Sequence, residues 1–281
     1  MYTSPIRLIT VDLDGTLLND QKEMTPRTRA ALEAASDRGV EIVPATGRTV
    51  AGLPADLLAI KGVHYAITAN GARTMDLATG QPIQELYIPR DKALAAYDVL
   101  MQYDCLVDLF QDGQGYTTEA NRAAAVRFVP DNLRAYVLNT RKTLPDLRAF
   151  ITQQERGLEK LTIFFVDDAE RQKAWVAVEA LGVNVVSSLP LNMEINAAGV
   201  DKGTGLMALA ELLKLPVSSL MAMGDGGNDI GMIRAAGLGV AMGNAFPDVK
   251  AAANHITASN NEDGAALAIE TFVLEDNTKT L

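Results

Sequence analysis

The sequence predicts an α/β protein built on a parallel sheet. Three observations carry the prediction. Short apolar runs alternate with helical segments through the N-terminal third, the pattern that builds parallel strands joined by right-handed crossovers. The same style returns in the C-terminal third, after a middle that reads differently. The residues with chemistry to offer also fall at the ends of the expected strands, where parallel sheets bind their ligands.

Residues 6–11 are nearly all β-formers and read as a buried strand. A helix follows: Thr25 suits the N-cap, Pro26 the first helical position and Gly39 the C-terminal cap. Residues 40–43 give a second strand. Val50, Leu53, Leu57 and Leu58 sit at helical spacing, with Gly62 after them, and residues 65–68 read as the third strand of the same parallel sheet. Asn70-Gly71 and Thr79-Gly80 are hairpin-type turns. The middle then offers a helix (91–102), a strand (106–110), a turn at Asp112-Gly113 and weaker segments to residue 155. A strand (161–166), a helix (169–181) and a strand (183–186) complete a second α/β unit of roughly a hundred residues. Helices over 202–214, 229–236 and 247–253, with strands over 219–223 and 238–241, return to the first style. The polar tail 275–281 reads as frayed.

Composition narrows the function. The formal net charge is −10, from 25 Lys and Arg against 35 Asp and Glu. A nucleic-acid surface needs a basic face, so nucleic acid is not an expected partner. A phosphorylated small molecule stays open, because a bound cation can invert the local field. The one cysteine, Cys105, cannot make an internal disulfide, and two histidines are too few for a His-rich metal site. No leader segment precedes the first strand and no run approaches about 18 apolar residues, so a cytoplasmic protein without a membrane partner is expected.

Four short stretches carry chemistry. Asp12-Leu-Asp14-Gly-Thr16 closes the first strand with two carboxylates on one side of an extended chain. Such a pair repels unless a cation or a shared proton relieves it. Mg²⁺ would do so through oxygen ligands, leaving one carboxylate as nucleophile and the other as general acid and base. Thr46-Gly47-Arg48 closes the second strand, one strand-helix-strand unit later, with a hydroxyl and free backbone N–H groups that suit a phosphate. Lys202 opens a helix, against the helix dipole, a local cost that an anionic partner would offset. Gly224-Asp225-Gly-Gly-Asn228-Asp229 crowds two acids and an amide at another strand end. There Asp225 is placed to ligate a metal, Asn228 to donate to a phosphate oxygen or orient a metal-bound water, and Asp229 to hold Lys202 or stand behind the metal. Alone, Lys202 also reads as a solvated lysine and the other three stretches as ordinary turns or helix caps. Together they supply the inventory for phosphoryl transfer through an aspartyl-phosphate with one divalent metal.

In that order and over the whole chain, these four stretches resemble the haloacid dehalogenase superfamily, specifically its Cof-type phosphatases with a large α/β cap. Asn70-Gly71-Ala72 and Asn260-Asn-Glu-Asp-Gly264 also match that branch. The resemblance implies a Rossmann-like parallel-sheet core with helices on both faces (1–82 and 190–281) and an inserted α/β cap (83–189) that selects the substrate. It implies that Asp12 attacks phosphorus and that Asp14 protonates the leaving oxygen, then activates water. It implies that Thr46, Gly47, Lys202 and Asn228 hold the phosphoryl oxygens, and that Mg²⁺ is held by Asp12, the backbone carbonyl of Asp14 and Asp225, with Asp229 behind them. Arg48 and Asn70 are candidate substrate contacts. The expected activity is Mg²⁺-dependent hydrolysis of small phosphorylated metabolites, sugar phosphates above all. A sugar phosphotransferase or mutase is the alternative within enzymes, and a non-catalytic phospho-aspartate switch is the alternative outside them.

Overall fold

The computed structural model describes residues 5–275, so residues 276–281, where fraying is expected, lie outside it. The chain forms two compact units. One runs to Gly47, then from Leu53 to Gln84 and from Asp201 onward; the other joins Arg48–Gly52 to Glu85–Val200.

In the first unit the chain opens with β1 (Leu8–Val11), α1 (Pro26–Asp37) and β2 (Glu41–Pro44). Thr25 caps α1 by accepting from the Thr28 N–H, and Pro26 takes the first helical position. A short helix, α2 (Ala55–Leu58), leads to β3 (Tyr65–Thr68), β4 (Arg73–Asp76) and β5 (Pro82–Glu85), a separate three-stranded sheet.

The placement of β3 corrects the expected topology. It pairs along its length with β4, antiparallel, and meets β2 through one parallel bridge, Ala45 to Ile67. The cause lies in β2. The Ile42 and Thr46 N–H groups donate toward this side, to the carbonyls of Gly62 and Ile67. Pro44, midway between them, has no N–H to give, so the ladder cannot run on.

The second unit carries α3 (Arg90–Leu100), β6 (Cys105–Gln111), β7 (Gln114–Thr117), α4 (Glu119–Phe128), α5 (Asp131–Thr140), β8 (Arg141–Thr143) and α6 (Leu147–Gln153). It continues with β9 (Lys160–Phe165), α7 (Asp168–Glu179), β10 (Asn184–Val186) and β11 (Asn192–Asn196). Its six strands lie in the order β10-β11-β9-β6-β7-β8, antiparallel except for β7 with β8. Strand residues alternate between faces. Val107, Leu109, Ile163, Phe165 and Met193 pack on one face against α3, α6 and α7. At one end of the opposite face, Leu106 and Phe164 seat α4 and α5. The weak segments before residue 155 thus hold two helices and two short strands. The strand β11, unassigned by the sequence reading, alternates polar and apolar residues, and the unit runs on to Val200.

Back in the first unit come α8 (Lys202–Leu212), β12 (Leu220–Gly224), α9 (Ile230–Ala235), β13 (Leu238–Ala241), α10 (Pro247–Ala252), β14 (His255–Ile256) and α11 (Gly264–Ile269). The sheet order is β14-β13-β12-β1-β2, and every pair is parallel. All its strands therefore end on the same side. Its central strands are buried throughout, as a parallel sheet covered by helices requires. Leu206 and Leu209 of α8 and Met232 of α9 pack on Leu8, Val43, Leu220 and Ala222, while α1 packs on α11. Among the described residues, no helix is long and apolar enough to cross a membrane.

Candidate functional site

Strand register gathers the site. Val11 pairs with Met223 on one side and Pro44 on the other. Asp12 thus leaves β1 level with the end of β12, its N–H donating to the Met223 carbonyl at 3.0 Å. Asp225 follows β12 directly. The fully buried Lys202, first residue of α8, donates from Nζ to Asp12 Oδ1 and to Asp229 Oδ1, each at 2.6 Å. The other oxygen of Asp229 accepts from the Asp225 and Gly226 N–H groups at 2.9 Å. Thr16 Oγ1 donates to Asp225 Oδ1 at 2.8 Å. The dipole cost of Lys202 at a helix start is offset here by two carboxylates, and by Asp201, which caps α8 and forms a capping box with Thr204.

Burial and repulsion set the charges. Burial pushes the Asp12 carboxyl well above the ordinary carboxylate range; Lys202 pulls it back, and Asp229, Asp225 and Asp14 push it further. Burial, then the charge of Asp229, pushes Asp225 up to about 7, against Thr16 and Lys202. For Lys202, burial favours the neutral amine, but Asp12 and Asp229 outweigh it and hold the ammonium above the ordinary lysine range.

Asp12, Asp225 and Asp229 offer oxygens that all lie within 4.8 Å of one another. Asp229 is committed on both oxygens, to Lys202 and to two backbone N–H groups. Asp12 and Asp225 are the carboxylates fitted to a cation, and an all-oxygen donor set fits a hard divalent ion such as Mg²⁺. The loop between them is built close. Gly15 has φ +85°, and a Cβ there would stand 2.4 Å from Asp225 Oδ2, so only glycine lets this backbone lie against the carboxylate.

The remaining predicted residues fall as follows. Asp14 is partly exposed and pairs with Lys22 Nζ at 2.8 Å. Thr46 is buried, donating its N–H to the Ile67 carbonyl at 2.8 Å and accepting from the Asn70 N–H at 3.0 Å. The buried Asn70, with φ +57°, accepts on its side chain from Asn228 Nδ2 at 3.1 Å. Those two amides, expected separately, thus form one pair. Gly47 ends the first stretch of this unit. Arg48 belongs to the second unit, where it donates to the Gly52 carbonyl at 2.9 Å and lies 4.8 Å over the Tyr136 ring.

Sequence reasoning missed two residues at the site. Asn244 donates to the Gly15 carbonyl at 2.8 Å, reaches toward Asp225 Oδ2 at 3.5 Å and accepts from the Asn260 N–H at 3.0 Å. It stands just past the end of β13, so the strand-end rule that found Asp225 would have found it. Lys22 carries no such signal. It reaches Asp14 from a loop residue with φ +64°, a conformation that no pattern in the sequence marks.

The haloacid dehalogenase-like hydrolase family matches this chain over residues 9–269. The protein YxeH of Bacillus subtilis (strain 168) is 35% identical over 276 residues, covering 95% of this chain and 98% of its own. The 5-amino-6-(5-phospho-D-ribitylamino)uracil phosphatase YcsE of the same organism is 33% identical over 273 residues, covering 96% of each chain. Among solved structures, the haloacid dehalogenase subclass IIB sugar phosphatase BT4131 superposes with a TM-score of 0.79 at 25% identity, covering 95% of this chain and 98% of that one.

Proposed function

The chain belongs to the haloacid dehalogenase-like hydrolases, and from that membership we propose that it is a Mg²⁺-dependent phosphatase of small phosphorylated metabolites, sugar phosphates first among them, working through an aspartyl-phosphate on Asp12. One observation carries the reading: a single buried ammonium, Lys202, is shared at 2.6 Å between Asp12 and Asp229, with Asp225 beside them. A carboxylate nucleophile must be held in place and ionised; Lys202 holds Asp12 and pulls against the burial that favours its neutral form.

An Asp12 oxygen forms the new bond to phosphorus as the ester oxygen leaves. Asp14, oriented by Lys22, gives that oxygen its proton. Asp14 then takes a proton from the water that attacks phosphorus, which frees phosphate and restores Asp12. Lys202, the Thr46 hydroxyl, the Gly47 N–H and the Asn228 amide hold the phosphoryl oxygens through the reaction. Hydrolases of this family generally use a divalent metal; Asp12, Asp225 and the backbone carbonyl of Asp14 would hold Mg²⁺ here, with Asp229 behind them. When bound, that ion offsets the carboxylate charge that would otherwise repel an anionic ester.

The second unit is read as the inserted domain that selects the leaving group, with Arg48 and Asn70 as candidate contacts. The relatives support a hydroxylated substrate. YcsE is a phosphatase of a phosphoribityl compound, and BT4131 is a sugar phosphatase. A single cysteine fits a reducing, cytoplasmic setting.

The test is phosphate release from a panel of phosphorylated metabolites, with and without Mg²⁺, using wild type and Asp12→Asn. The expected result is release that requires Mg²⁺ and falls in the variant by about 10⁴-fold, the scale for removing a covalent nucleophile. Full activity in Asp12→Asn, or isomerised sugar phosphate in place of free phosphate, overturns the reading.

A further inference from the structure

The Asp225 carboxylate is approached on both oxygens by neutral donors. Thr16 Oγ1 donates to Oδ1 at 2.8 Å, and Asn244 Nδ2 stands 3.5 Å from Oδ2. The same nitrogen donates to the Gly15 carbonyl at 2.8 Å. An amide nitrogen carries two N–H groups, so it serves both oxygens at once. It thereby joins the loop after β1, which holds Asp12, to the loop after β12, which holds Asp225. The backbone two residues on adds a tie of its own, the Phe246 N–H donating to the Asp225 carbonyl at 3.1 Å.

The amide can face only one way. Its Oδ1 accepts from the Asn260 N–H at 3.0 Å, which leaves Nδ2 for the Gly15 carbonyl. Asn260 is itself anchored: its own Nδ2 donates to the Leu18 carbonyl at 3.1 Å and to Asp20 Oδ1 at 3.2 Å. The stretch 260–264, which the sequence marks without giving it a task, thus grips the far end of the Asp12 loop and orients Asn244.

Two features set this amide apart from an ordinary loop tie. Asn244 is exposed, yet both ends of its amide are committed, to three separate loops. Fixing an exposed side chain costs rotamer entropy that a solvated one keeps. Its donor is also neutral. An ammonium at Asp225 would cancel the charge a cation needs, whereas an amide orients the carboxylate and leaves that charge in place.

We propose that Asn244 is a positioning residue for the divalent cation. It fixes the Asp12 loop against Asp225, and Asn260 fixes Asn244 in turn. The inference rests on the reading of Asp12 and Asp225 as cation ligands. Asn244 then governs how tightly the ion is held and takes no part in making or breaking bonds.

Calorimetric titration of the full chain with MgCl₂, and separately with MnCl₂, tests it in wild type, Asn244→Ala and Asn254→Ala. Asn254 is the control, because its Oδ1 accepts from the Gly239 N–H at 2.7 Å, near the opposite end of β13. Asn244→Ala should weaken both ions by about tenfold or more, the scale for partners that orient metal ligands. Asn254→Ala should stay within about twofold of wild type. In turnover, the Mg²⁺ concentration for half-maximal rate should rise with the dissociation constant in Asn244→Ala, while kcat at saturating Mg²⁺ stays within about twofold. A merely structural loss would lower kcat and spare the ion. Thermal unfolding checks that the variant folds; if it does not, Asn244→Ser, too short to reach Gly15, takes its place. An unchanged dissociation constant in the Asn244 variant overturns the proposal and leaves the cation reading standing. Equal weakening in Asn254→Ala also overturns it. If wild type binds neither ion, the cation reading fails and this inference falls with it.

Discussion

Two carboxylates share the Lys202 ammonium, and the burden falls unequally on them. Asp229 also accepts from two backbone N–H groups, so it holds the turn after β12 as well as the charge. Asp229→Ala should therefore cost about 3–5 kcal/mol in urea unfolding, the scale for stripping a partner from a buried ion pair. A loss below about 1 kcal/mol would show that the turn stands without it. Asp225 supplies a pH dependence. Its pKa rises from an ordinary 3.8 to about 7 in the metal-free fold, so the fold binds that proton more tightly than the unfolded chain. The stability this contributes is fully present below pH 3.8 and lost as pH rises to about 7. A divalent cation competes with the same proton. Thermal unfolding with and without MgCl₂ should show a larger cation-induced gain in Tm at pH 8 than at pH 5.5, and equal gains would contradict it. Asp12, Asp225 and Asp229 stood out as acids at strand ends and Lys202 as an unfavourable charge at a helix start, and only their combination and the family resemblance pointed to one site. Lys22 was not legible, because its reach depends on a left-handed loop residue.

At the scale of elements, the helix α8 matters most, because it aims Lys202. Its N-cap, Asp201, is also the point of closest approach for the turn between β3 and β4. A Cβ at Gly71, where φ is +93°, would stand 1.9 Å from the Asp201 carbonyl oxygen. Gly71→Ala should cost about 2–4 kcal/mol, combining a strained backbone with a clash that no side-chain rotation relieves. Chemical denaturation reads that loss, and an unchanged midpoint would mean that the turn and helix part freely. The Asn70-Gly71 turn was visible in the sequence, but its contact with α8 was not, because that contact joins residues 130 positions apart. The strand β3 was placed correctly, beside β2 and parallel to it, but its ladder there shrinks to one bridge because Pro44, in a different strand, has no N–H to give, and its full pairing is with β4. The strand β11 had the period-two pattern throughout but lay where the sequence style was changing.

For the whole molecule, the alternation of strand and helix was enough to give a parallel sheet with its ligand side, because every strand of that sheet runs the same way. The helices α4 and α5 escaped notice. Apolar residues are common in both, but the structure fully buries only Ala125 in one and Val137 in the other, so no clear apolar stripe marks them. If the first unit's strand ends hold the cation, amide hydrogen exchange should show protection gained on adding Mg²⁺ concentrated at residues 12–16 and 224–229. A gain spread evenly over the chain would point to global stabilisation instead. The second unit's sheet divides its labour by face. Its aliphatic side anchors α3, α6 and α7, and its charged side seats α4 and α5 at one end and buries two ion pairs. Losing one partner there strands a buried charge, so a lineage can rewrite that face only in matched pairs of substitutions, while single exchanges are tolerated elsewhere.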